Sequence, residues 1–382
     1  MADDSPETPA VPALFGGAFA HRRVLVTGHS GFKGSWLCEW LLNLGAQVTG
    51  LGLPPDTDPA LFTQLHLADR MDSIFGDIRN ADGVRRVVAE SQPDFVFHLA
   101  AQPLVRRSYR EPVATWQTNV IGTLNLLEAL RSLQKPCGVV LVATDKCYEN
   151  REWIHGYREN DPLGGADPYS SSKAASEIAI EAWRRSFFRN HPVRLASARA
   201  GNVIGGGDWA EDRIVPDCAR AWIAGRPVRI RNPRATRPWQ HVLEPLSGYL
   251  WLAASLVRQP TPASPLESAF NFGPTNDSNR SVRDLVELAR SFVSGEWTDG
   301  SDPTAPHEAN LLHLSIDKAI ALLGWHPVWN FVDAVRETLR WYFDIAHSTE
   351  ASKVGELTRD QIQAYSSRAQ QAGAAWAVPV SP

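Results

Sequence analysis

The chain has 382 residues, of which 43% are hydrophobic and 21% are charged, and its formal net charge is −4 at pH 7. This length fits one large or two medium domains, and the ordinary composition is that of a globular protein. The weak net charge provides no bulk attraction for nucleic acid or for an anionic membrane, so neither is expected as a partner.

The cysteines and the first residues of the chain predict its surroundings. Cys38, Cys137, Cys147 and Cys218 have the spacing of neither a zinc site nor a disulfide framework. No metal site is therefore expected, and a reduced, cytoplasmic location is the default prediction. The acidic N-terminus lacks the apolar core of a signal peptide, and no apolar run is long enough to span a bilayer. Residues 1–20 are expected to form a flexible tail.

The first regular element is a short buried strand that leads into a glycine-rich turn. Residues 23–27 form the strand, and glycines follow at Gly28, Gly31 and Gly34. An amphipathic helix that stops at Gly45 and a second strand complete the pattern. This order predicts a dinucleotide site, because glycines permit a tight turn and the helix N-terminus binds a pyrophosphate. The alternative is an ordinary turn between a strand and a helix.

The next two strands end in residues that suit a cofactor. The second strand ends at Gly52, without the acid that usually binds the adenine ribose, so the preference between NAD and NADP stays open. Asp77 ends the third strand and is interpreted as a contact of the adenine amino group, as the N-cap of a helix over 79–91, or as both. The fourth strand ends in Ala100 and Ala101, which are small enough for a cofactor to pass close by.

Strands and helices keep alternating in the following segment. A helix is predicted over 112–132, a strand over 139–143, a second long helix over 168–189 and a strand over 193–199. This alternation predicts an α/β fold with a doubly wound parallel sheet, in which ligands bind beyond the carboxyl ends of the strands. After Asn202 the alternation weakens, and a smaller C-terminal substrate domain is predicted.

The predicted domains follow from these patterns. The dinucleotide-binding domain covers residues 21–202, with a returning segment near 240–273. The substrate domain covers 203–240 and 274–345. The tail, 346–382, is interpreted either as a last helix or as disorder.

Two groups of polar residues predict the chemistry. Tyr169 and Lys173 lie one helical turn apart, so they share a face, and a nearby ammonium favours the phenolate form of tyrosine. Thr144, Asp145 and Lys146 follow a strand, at the edge where a parallel sheet binds ligands. Together they predict a site for proton transfer. The alternatives are a surface Tyr–Lys pair and a loop ion pair.

At these motifs the chain resembles the nucleotide-sugar 4,6-dehydratases, which belong to the extended short-chain dehydrogenase/reductases. The resemblance spans roughly residues 21–345 and rests on the Tyr169/Lys173 pair and the stretches 27–36, 98–102, 144–150, 201–209, 237–241 and 307–309. It implies a Rossmann-type sheet, an NAD that is returned unchanged, a nucleotide-sugar substrate, and a homodimer or tetramer assembled through the two long helices.

The resemblance also implies a role for each catalytic residue. Tyr169 takes the proton of the sugar 4-hydroxyl, Lys173 holds the cofactor ribose and lowers the pKa of Tyr169, and Thr144 binds the forming 4-keto oxygen. Asp145 is the expected acid at C6. Lys146 stands where most relatives have a glutamate base, as it does in the branch that acts on CDP-glucose. A lysine serves as a base only when it is neutral.

The remaining expected site residues are cofactor or substrate contacts. The expected cofactor contacts are Gly28, His29, Gly31, Phe32, Lys33, Gly34, Asp77, Ile78, Leu99, Ala100 and Ala101, together with Tyr169 and Lys173. The expected substrate contacts are Gln102, Asn202, Arg213, Arg237 and His307. Arginine suits this role because its planar guanidinium matches phosphate oxygens. Lys33 is interpreted either as a phosphate neighbour or as a solvent-facing lysine.

The predicted reaction oxidises a nucleotide-linked glucose at C4, eliminates water across C5 and C6, and reduces C6. CDP is the nucleotide implied by the resemblance. The alternatives are a 4,6-dehydratase for dTDP-, GDP- or UDP-glucose, a nucleotide-sugar epimerase or reductase, and a non-enzymatic Rossmann-fold sensor of redox state or nucleotide. Asp145 and Lys146 argue against an epimerase, which eliminates no water. The Tyr169/Lys173 pair argues against a sensor.

Overall fold

The glycine turn lies at the centre of a parallel sheet. The structure is a computed structural model that describes residues 14–210, 212–258, 264–301, 311–350 and 352–378. Its strands are β1 (Arg23–Thr27), β2 (Gln47–Gly52), β3 (Asp72–Phe75), β4 (Phe95–His98), β5 (Cys137–Thr144), β6 (Val193–Ala200), β7 (Val203–Ile204), β8 (Val228–Ile230), β9 (Thr236–Pro238), β10 (Gln240–His241), β11 (Ala269–Phe272), β12 (Asn279–Ser281) and β13 (Trp297–Asp299).

Helices cover both faces of the sheet and make up most of the remaining described chain. They are α1 (Phe32–Asn43), α2 (Leu61–Gln64), α3 (Ala81–Ser91), α4 (Val105–Arg110), α5 (Pro112–Trp116), α6 (Gly122–Leu130), α7 (Pro168–Trp183), α8 (Ile214–Ile223), α9 (Leu243–Arg258), α10 (Val282–Phe292), α11 (Asp317–Leu323), α12 (Phe331–Ala346) and α13 (Lys353–Gln371). One π-helical turn, Gln117–Ile121, joins α5 to α6, and a second, Arg184–Phe188, continues α7.

The strand order identifies where a ligand would bind. In the described part of the chain the main sheet has seven strands, in the order β11-β6-β5-β4-β1-β2-β3, and every pair is parallel. The order reverses between β1 and β4, so the helices that follow these two strands lie on opposite faces and leave a crevice between them. The prediction of a doubly wound α/β sheet is confirmed.

Apolar strands and helix faces explain why this sheet is buried. β1 and β5 are runs of valine and leucine, which suit strands covered on both faces. One hydrophobic cluster, which includes Trp36 and Trp341, packs on one face, and a second, which includes Leu126 and Val139, packs on the other. The predicted stop of the first helix is also present, because Gly45 adopts a φ of +77° just after α1.

The expectation of a flexible N-terminal tail is wrong for residues 14–20, while residues 1–13 lie outside the described residues. Phe15 and Phe19 are buried in the core. The ring of Phe15 stacks on Trp376 with the ring centroids 5.0 Å apart, so the two ends of the described chain pack together. The sequence before Arg23 is rich in alanine and proline, which is why a tail was expected. The burial of Phe15 and Phe19 holds residues 14–20 against the core despite that composition.

The C-terminal segment contains a helix, which decides between the two interpretations of the tail. Arg359 of α13 and Arg70 both bind the buried carboxylate of Glu39 in α1. Tyr365 of α13 donates to Glu244 of α9 at 2.8 Å. These contacts fasten α13 to the core of the molecule. None of the described helices combines the length and the hydrophobicity that a membrane span needs.

Candidate active site

Tyr169 is placed by the residues just before it. The carboxylate of Asp167 accepts hydrogen bonds from the backbone N–H groups of Tyr169 and Ser170, each at 2.9 Å. Pro168 occupies the first position of α7. An aspartate cap followed by proline is a strong signal for a helix start. Tyr169 is therefore fixed in the first turn of α7, where its side chain is buried.

The end of β5 forms a tight turn that carries Asp145 and Lys146. Thr144 donates from Oγ1 to Oδ1 of Asp145 at 2.9 Å and accepts at 3.3 Å from the N–H of Lys146. Asp145 is 1% exposed. Its second oxygen, Oδ2, has no hydrogen-bond partner among the described residues. Since buried carboxylate oxygens normally have partners, this atom marks a place for a ligand group.

The turn after β5 and the first turns of α7 pack against each other at the catalytic site. The side chain of Thr144 lies near the hydroxyl of Tyr169 and lowers its pKa. The ammonium of Lys173 donates to the carbonyl of Val142 in β5 at 3.0 Å. Lys146 is half-buried, and the described residues offer its ammonium no hydrogen-bond or ion-pair partner. Thr144, Asp145, Tyr169 and Lys173 thus come together at the carboxyl end of β5.

The pKa of Tyr169 differs from the sequence-based expectation. Burial raises the pKa of Tyr169, a hydrogen bond from Thr144 opposes this rise, and the carboxylate of Asp145 adds to it. Lys173 is not among the groups that mainly set this pKa, and its ammonium binds the carbonyl of Val142. Burial also lowers the pKa of Lys173, against the opposing charge of Glu177.

The turn between β1 and α1 has the shape of a phosphate cradle. Gly28 has a φ of +75°, and a Cβ there would lie 2.6 Å from the backbone nitrogen of Ala100. A Cβ on Gly34 would lie 2.1 Å from the carbonyl oxygen of Gly28. Gly31, the N-cap of α1, provides no side-chain cap, so the helix N-terminus is open to an anion. These residues fit the pyrophosphate of a dinucleotide.

Two expected cofactor residues pack beside this cradle. Phe32 begins α1 and would lie 3.1 Å from a Cβ on Gly205. Leu99 follows β4 and donates its N–H to the carbonyl of Thr27 at 3.0 Å. Their positions are those expected of residues that border a cofactor.

The side chain of Lys33 points inward to Tyr249 of α9, so the interpretation of a solvent-facing lysine is wrong. Its ammonium lies 3.5 Å from the hydroxyl of Tyr249. Burial lowers the pKa of Lys33 to about 8, and the positive charges of Arg213 and Lys173 lower it further, against the carboxylate of Asp145. The side chain therefore extends from the glycine turn toward the Asp145 turn.

His29 fills the space at the ends of β2 and β3. Its Nε2 lies 2.8 Å from the hydroxyl of Ser73, and burial lowers the pKa of His29 to about 4. The imidazole is therefore neutral at pH 7. A Cβ on Gly50 would lie 2.3 Å from the ring, and one on Gly52 would lie 3.3 Å from it. The ring of His29 thus takes the space that side chains at Gly50 and Gly52 of β2 would need.

Asp77 keeps the position expected of an adenine contact but caps no helix. Its carboxylate accepts from the backbone N–H and the guanidinium of Arg79, both at 2.8 Å. This guanidinium is the main reason why the pKa of Asp77 is lowered. The N-cap interpretation is wrong, because Asn80 caps α3 through Gly83 at 3.1 Å. Ile78 is buried next to Gly122.

Gln102 has contacts that support a structural role. Its carboxamide accepts from the N–H of Leu104 at 2.7 Å and donates to the carbonyl of Leu104 and to Thr115. The backbone N–H of Gln102 donates to the side-chain oxygen of Asn119. These bonds shape the loop after β4, and they occupy the groups that a substrate would need. A direct contact between Gln102 and the substrate therefore has no support from this geometry.

A cavity of about 170 Å³ lies between the segments 202–217 and 229–239. Asn202, Arg213 and Arg237 line it, as expected of residues that bind a nucleotide sugar. Arg213 pairs with the buried carboxylate of Asp208 at 3.4 Å. His307 lies outside the described residues.

A larger groove of about 660 Å³, between residues 55–66 and 345–354, contains none of the expected site residues, so volume alone does not identify the site.

Several residues in and near the site were not predicted. Arg229, Arg231 and Asn232 line the same cavity as Arg213, and arginines on both sides of Ile230 were a signal for it. Tyr249 of α9 reaches Lys33, but nothing in its apolar surroundings in the sequence predicts this contact.

Among the described residues, no group of three or more histidine, cysteine or acidic side chains is arranged to bind a metal ion.

Comparisons with known proteins agree with this geometry. A family model described as GDP-mannose 4,6 dehydratase matches residues 25–338. The CDP-glucose 4,6-dehydratase of Salmonella typhimurium is 47% identical over 329 residues, which cover 84% of this chain and 90% of that protein.

Two solved structures share the fold. The dTDP-glucose 4,6-dehydratase of Streptomyces venezuelae, with NAD and TYD bound, is 23% identical with a TM-score of 0.71, and the match covers 84% of this chain and 97% of that one. The UDP-glucose 4-epimerase of Thermus thermophilus, in complex with NAD, is 26% identical with a TM-score of 0.68, and the match covers 84% and 99%. With the family model spanning most of its length, this chain belongs to the GDP-mannose 4,6 dehydratase family.

Proposed function

We propose that this enzyme is a CDP-glucose 4,6-dehydratase, a lyase that converts CDP-glucose to CDP-4-keto-6-deoxyglucose. The observation that carries the proposal is the meeting of Thr144, Asp145, Tyr169 and Lys173 at the end of β5, with one oxygen of Asp145 left without a protein partner among the described residues. The similarity to the Salmonella enzyme, at 47% identity, supports CDP-glucose as the substrate.

The cofactor is NAD. The cradle of Gly28, Gly31 and Gly34 would hold its pyrophosphate, Asp77 and His29 would border its adenosine, and Lys173 would hold the nicotinamide ribose. When bound, NAD accepts a hydride from C4 of the sugar and returns it to C6, so no cofactor is consumed. NAD in the Thermus epimerase, which shares this fold, supports the assignment.

Tyr169 acts in the first step. It removes the proton of the 4-hydroxyl as the C4–H bond breaks, and Thr144 donates a hydrogen bond to the forming carbonyl oxygen. A phenol with a raised pKa is a poor base until the charge of a nearby cation favours its phenolate. Lys173, one turn along α7, is the residue that supplies a charge when the site is filled.

Asp145 and Lys146 act in the elimination. The new C4 ketone acidifies the proton on C5, and Lys146 takes that proton. Asp145 gives a proton to the C6 hydroxyl, which leaves as water, and a C5–C6 double bond forms. Reduction at C6 and return of a proton to C5 complete the 4-keto-6-deoxy sugar. The buried Oδ2 of Asp145 supports this role, because no donor of the described residues reaches it.

The arginine-lined cavity would bind the nucleotide diphosphate. Arg213 and Arg237 offer planar donors for the phosphate oxygens, and Asn202 lines the same cavity. Asp208 orients Arg213 from the buried side. Residues 203–240 and 274–345 would together form the substrate domain, and residues 21–202 with the segment near 240–273 would form the cofactor domain. His307 stays a predicted substrate contact.

The enzyme would assemble through the two long helices as a homodimer or tetramer. Both carry large apolar side chains that are exposed in the single chain, namely Val113, Trp116, Ile121, Ile178 and Phe187. Such a surface usually marks a protein interface. We also propose a cytoplasmic location, which the four free, buried cysteines support.

A substrate panel tests the reaction and the nucleotide together. CDP-, dTDP-, UDP- and GDP-glucose are incubated separately with the enzyme and NAD, without any added reductant. Formation of a 4-keto-6-deoxy product from CDP-glucose is expected. Formation of the C4 epimer instead would indicate the epimerase alternative, and the absence of turnover on all four sugars would contradict the proposed function.

A further inference from the structure

A buried ion pair lies directly behind the catalytic residues. Glu177 of α7 and Arg199 of β6 meet at 2.5 Å between Oε2 and Nη2, with side chains only 2% and 4% exposed. Ser197 donates a further hydrogen bond to the same carboxylate oxygen at 2.9 Å. No step of the proposed reaction uses either charge.

Stability alone explains this pair poorly. Removing two charges from water costs free energy, which a buried pair recovers only when every polar atom is satisfied. Here Oε1 of Glu177 and Nε of Arg199 have no hydrogen-bond partner among the described residues. A pair that is only partly satisfied contributes little to folding, so its position calls for another explanation.

The pair connects the two segments that carry the catalytic groups. Glu177 lies one turn after Lys173 on α7. On the other side, Nη1 of Arg199 donates to the hydroxyl of Tyr148 at 2.7 Å, and the guanidinium lies 5.0 Å from the centre of the tyrosine ring. Tyr148 directly follows the Asp145 turn, and its N–H donates to the carbonyl of Asp145.

The same pair sets the electrostatics at Lys173. Glu177 is the main charge that raises the pKa of Lys173 against the lowering effect of burial. The other titratable groups near this ammonium are Cys147, Lys33 and His98, from the Asp145 turn, α1 and β4. Burial keeps the histidine neutral at pH 7 and the thiol protonated, so Glu177 supplies the nearby negative charge.

We propose that Glu177 and Arg199 are positioning residues for the reaction: Glu177 places a buried carboxylate one turn from Lys173, and Arg199 fixes the Asp145 turn against α7. This inference rests on the proposed function. Glu177 would act through Lys173 in the oxidation, and Arg199 would act through Tyr148 on the turn that performs the elimination. The single contact between Glu177 and Arg199 would thereby support both the oxidation and the elimination.

Glu177→Gln is the first test, and the control for loss of one glutamate is Glu90→Gln, at an exposed position of α3. Without Glu177 the pKa of Lys173 falls, so the alkaline limb of the kcat–pH profile should move down by roughly one pH unit. At pH values above the wild-type limb kcat should fall about tenfold relative to wild type, with KM nearly unchanged. Glu177→Asp should restore part of the loss, and the control should behave like wild type.

Tyr148→Phe is the second test, because Glu177→Gln leaves Arg199 buried without its partner and risks misfolding. It removes the link from Arg199 to the Asp145 turn without removing a charge. Product formation should slow while KM stays nearly constant. A folded Glu177→Gln enzyme with an unchanged pH limb and kcat would overturn the inference. If that variant does not fold, a wild-type kcat for Tyr148→Phe would overturn it. Lack of turnover by the wild-type enzyme would instead refute the proposed function.

Discussion

The ammonium of Lys33 lies 3.5 Å from the hydroxyl of Tyr249, although Lys33 belongs to the first turn of α1 and Tyr249 to the core helix α9. The pKa of Lys33 falls from 10.5 to about 8, mainly through burial. Between these two values the unfolded chain binds the proton and the folded protein does not, so the charged lysine destabilises the fold at lower pH.

Lys33→Met should therefore raise the thermal unfolding midpoint at pH 7. The difference from wild type should shrink as the pH rises from about 8 to 10.5 and should vanish above that range. Thermal unfolding followed by circular dichroism over this pH range measures it, with Lys353→Met in α13 as the control for the loss of one lysine. A lower midpoint at pH 7 would contradict the proposed penalty.

Arg213→Gln should weaken substrate binding more than it slows the chemistry. Arg213 lines the cavity of about 170 Å³ between the segments 202–217 and 229–239. A hydrogen bond to a charged group is worth about 1.5–3 kcal/mol, so KM for CDP-glucose should rise about tenfold or more, with a smaller change in kcat. Arg226→Gln, an exposed arginine before β8, is the matched control. Equal KM values for the two variants would argue against phosphate binding by Arg213.

Glu244→Gln tests a buried carboxyl group far from the chemistry. Glu244 accepts from the N–H groups of Val328 and Trp329 and from the hydroxyl of Tyr365. Burial raises the pKa of Glu244 from 4.5 to about 7. The folded state therefore holds the proton more tightly, and its contribution to stability is present below pH 4.5 and lost as the pH rises through 7.

The stability of wild type relative to Glu244→Gln should consequently fall between about pH 4.5 and 7. Chemical denaturation at several pH values measures the free energy of unfolding of both proteins. Glu350→Gln, at an exposed carboxylate, serves as the control for loss of a surface charge. A constant difference between the two proteins over this range would show that Glu244 titrates as it does in the unfolded chain.

Ile178→Glu should disrupt the proposed assembly. Ile178 is 60% exposed on α7, on the surface where large apolar side chains of both long helices lie. A glutamate there would be buried without a partner in the interface, which is costly. Sedimentation velocity should show a shift toward monomer. Ile154→Glu is the control, since Ile154 is 80% exposed but lies outside both helices, and the same sedimentation profile for both variants would refute the helix interface.

The sequence predicts those features that depend on local pattern. The Gly28 turn, the α7 start at Pro168 and the strand end at Thr144 all carry their signals within a few residues, and parallel pairing then brings strand ends to one edge. For this reason the sequence alone is enough to group Thr144 and Asp145 with Tyr169 and Lys173.

Most of the errors concern contacts between distant segments. Lys33 looked solvent-facing because its partner, Tyr249, is far away in the sequence. The first residues looked like a tail because Phe15 packs on Trp376 at the opposite end of the chain. In both cases packing between distant segments decided the position of a side chain. Asp77 is a local error, since Asn80 stands closer to the first turn of α3 and caps it.

Lys146→Ala tests the central claim, that Tyr169 is the base in the oxidation at C4 while Lys146 and Asp145 carry out the elimination. The variant is mixed with CDP-glucose and NAD, the absorbance of reduced nicotinamide is followed, and the sugar products are analysed. Tyr169→Phe is the comparison, and it should form neither reduced nicotinamide nor product. For Lys146→Ala we predict that reduced nicotinamide appears while no 4-keto-6-deoxy sugar forms. Dehydration by Lys146→Ala at the wild-type rate would contradict the account.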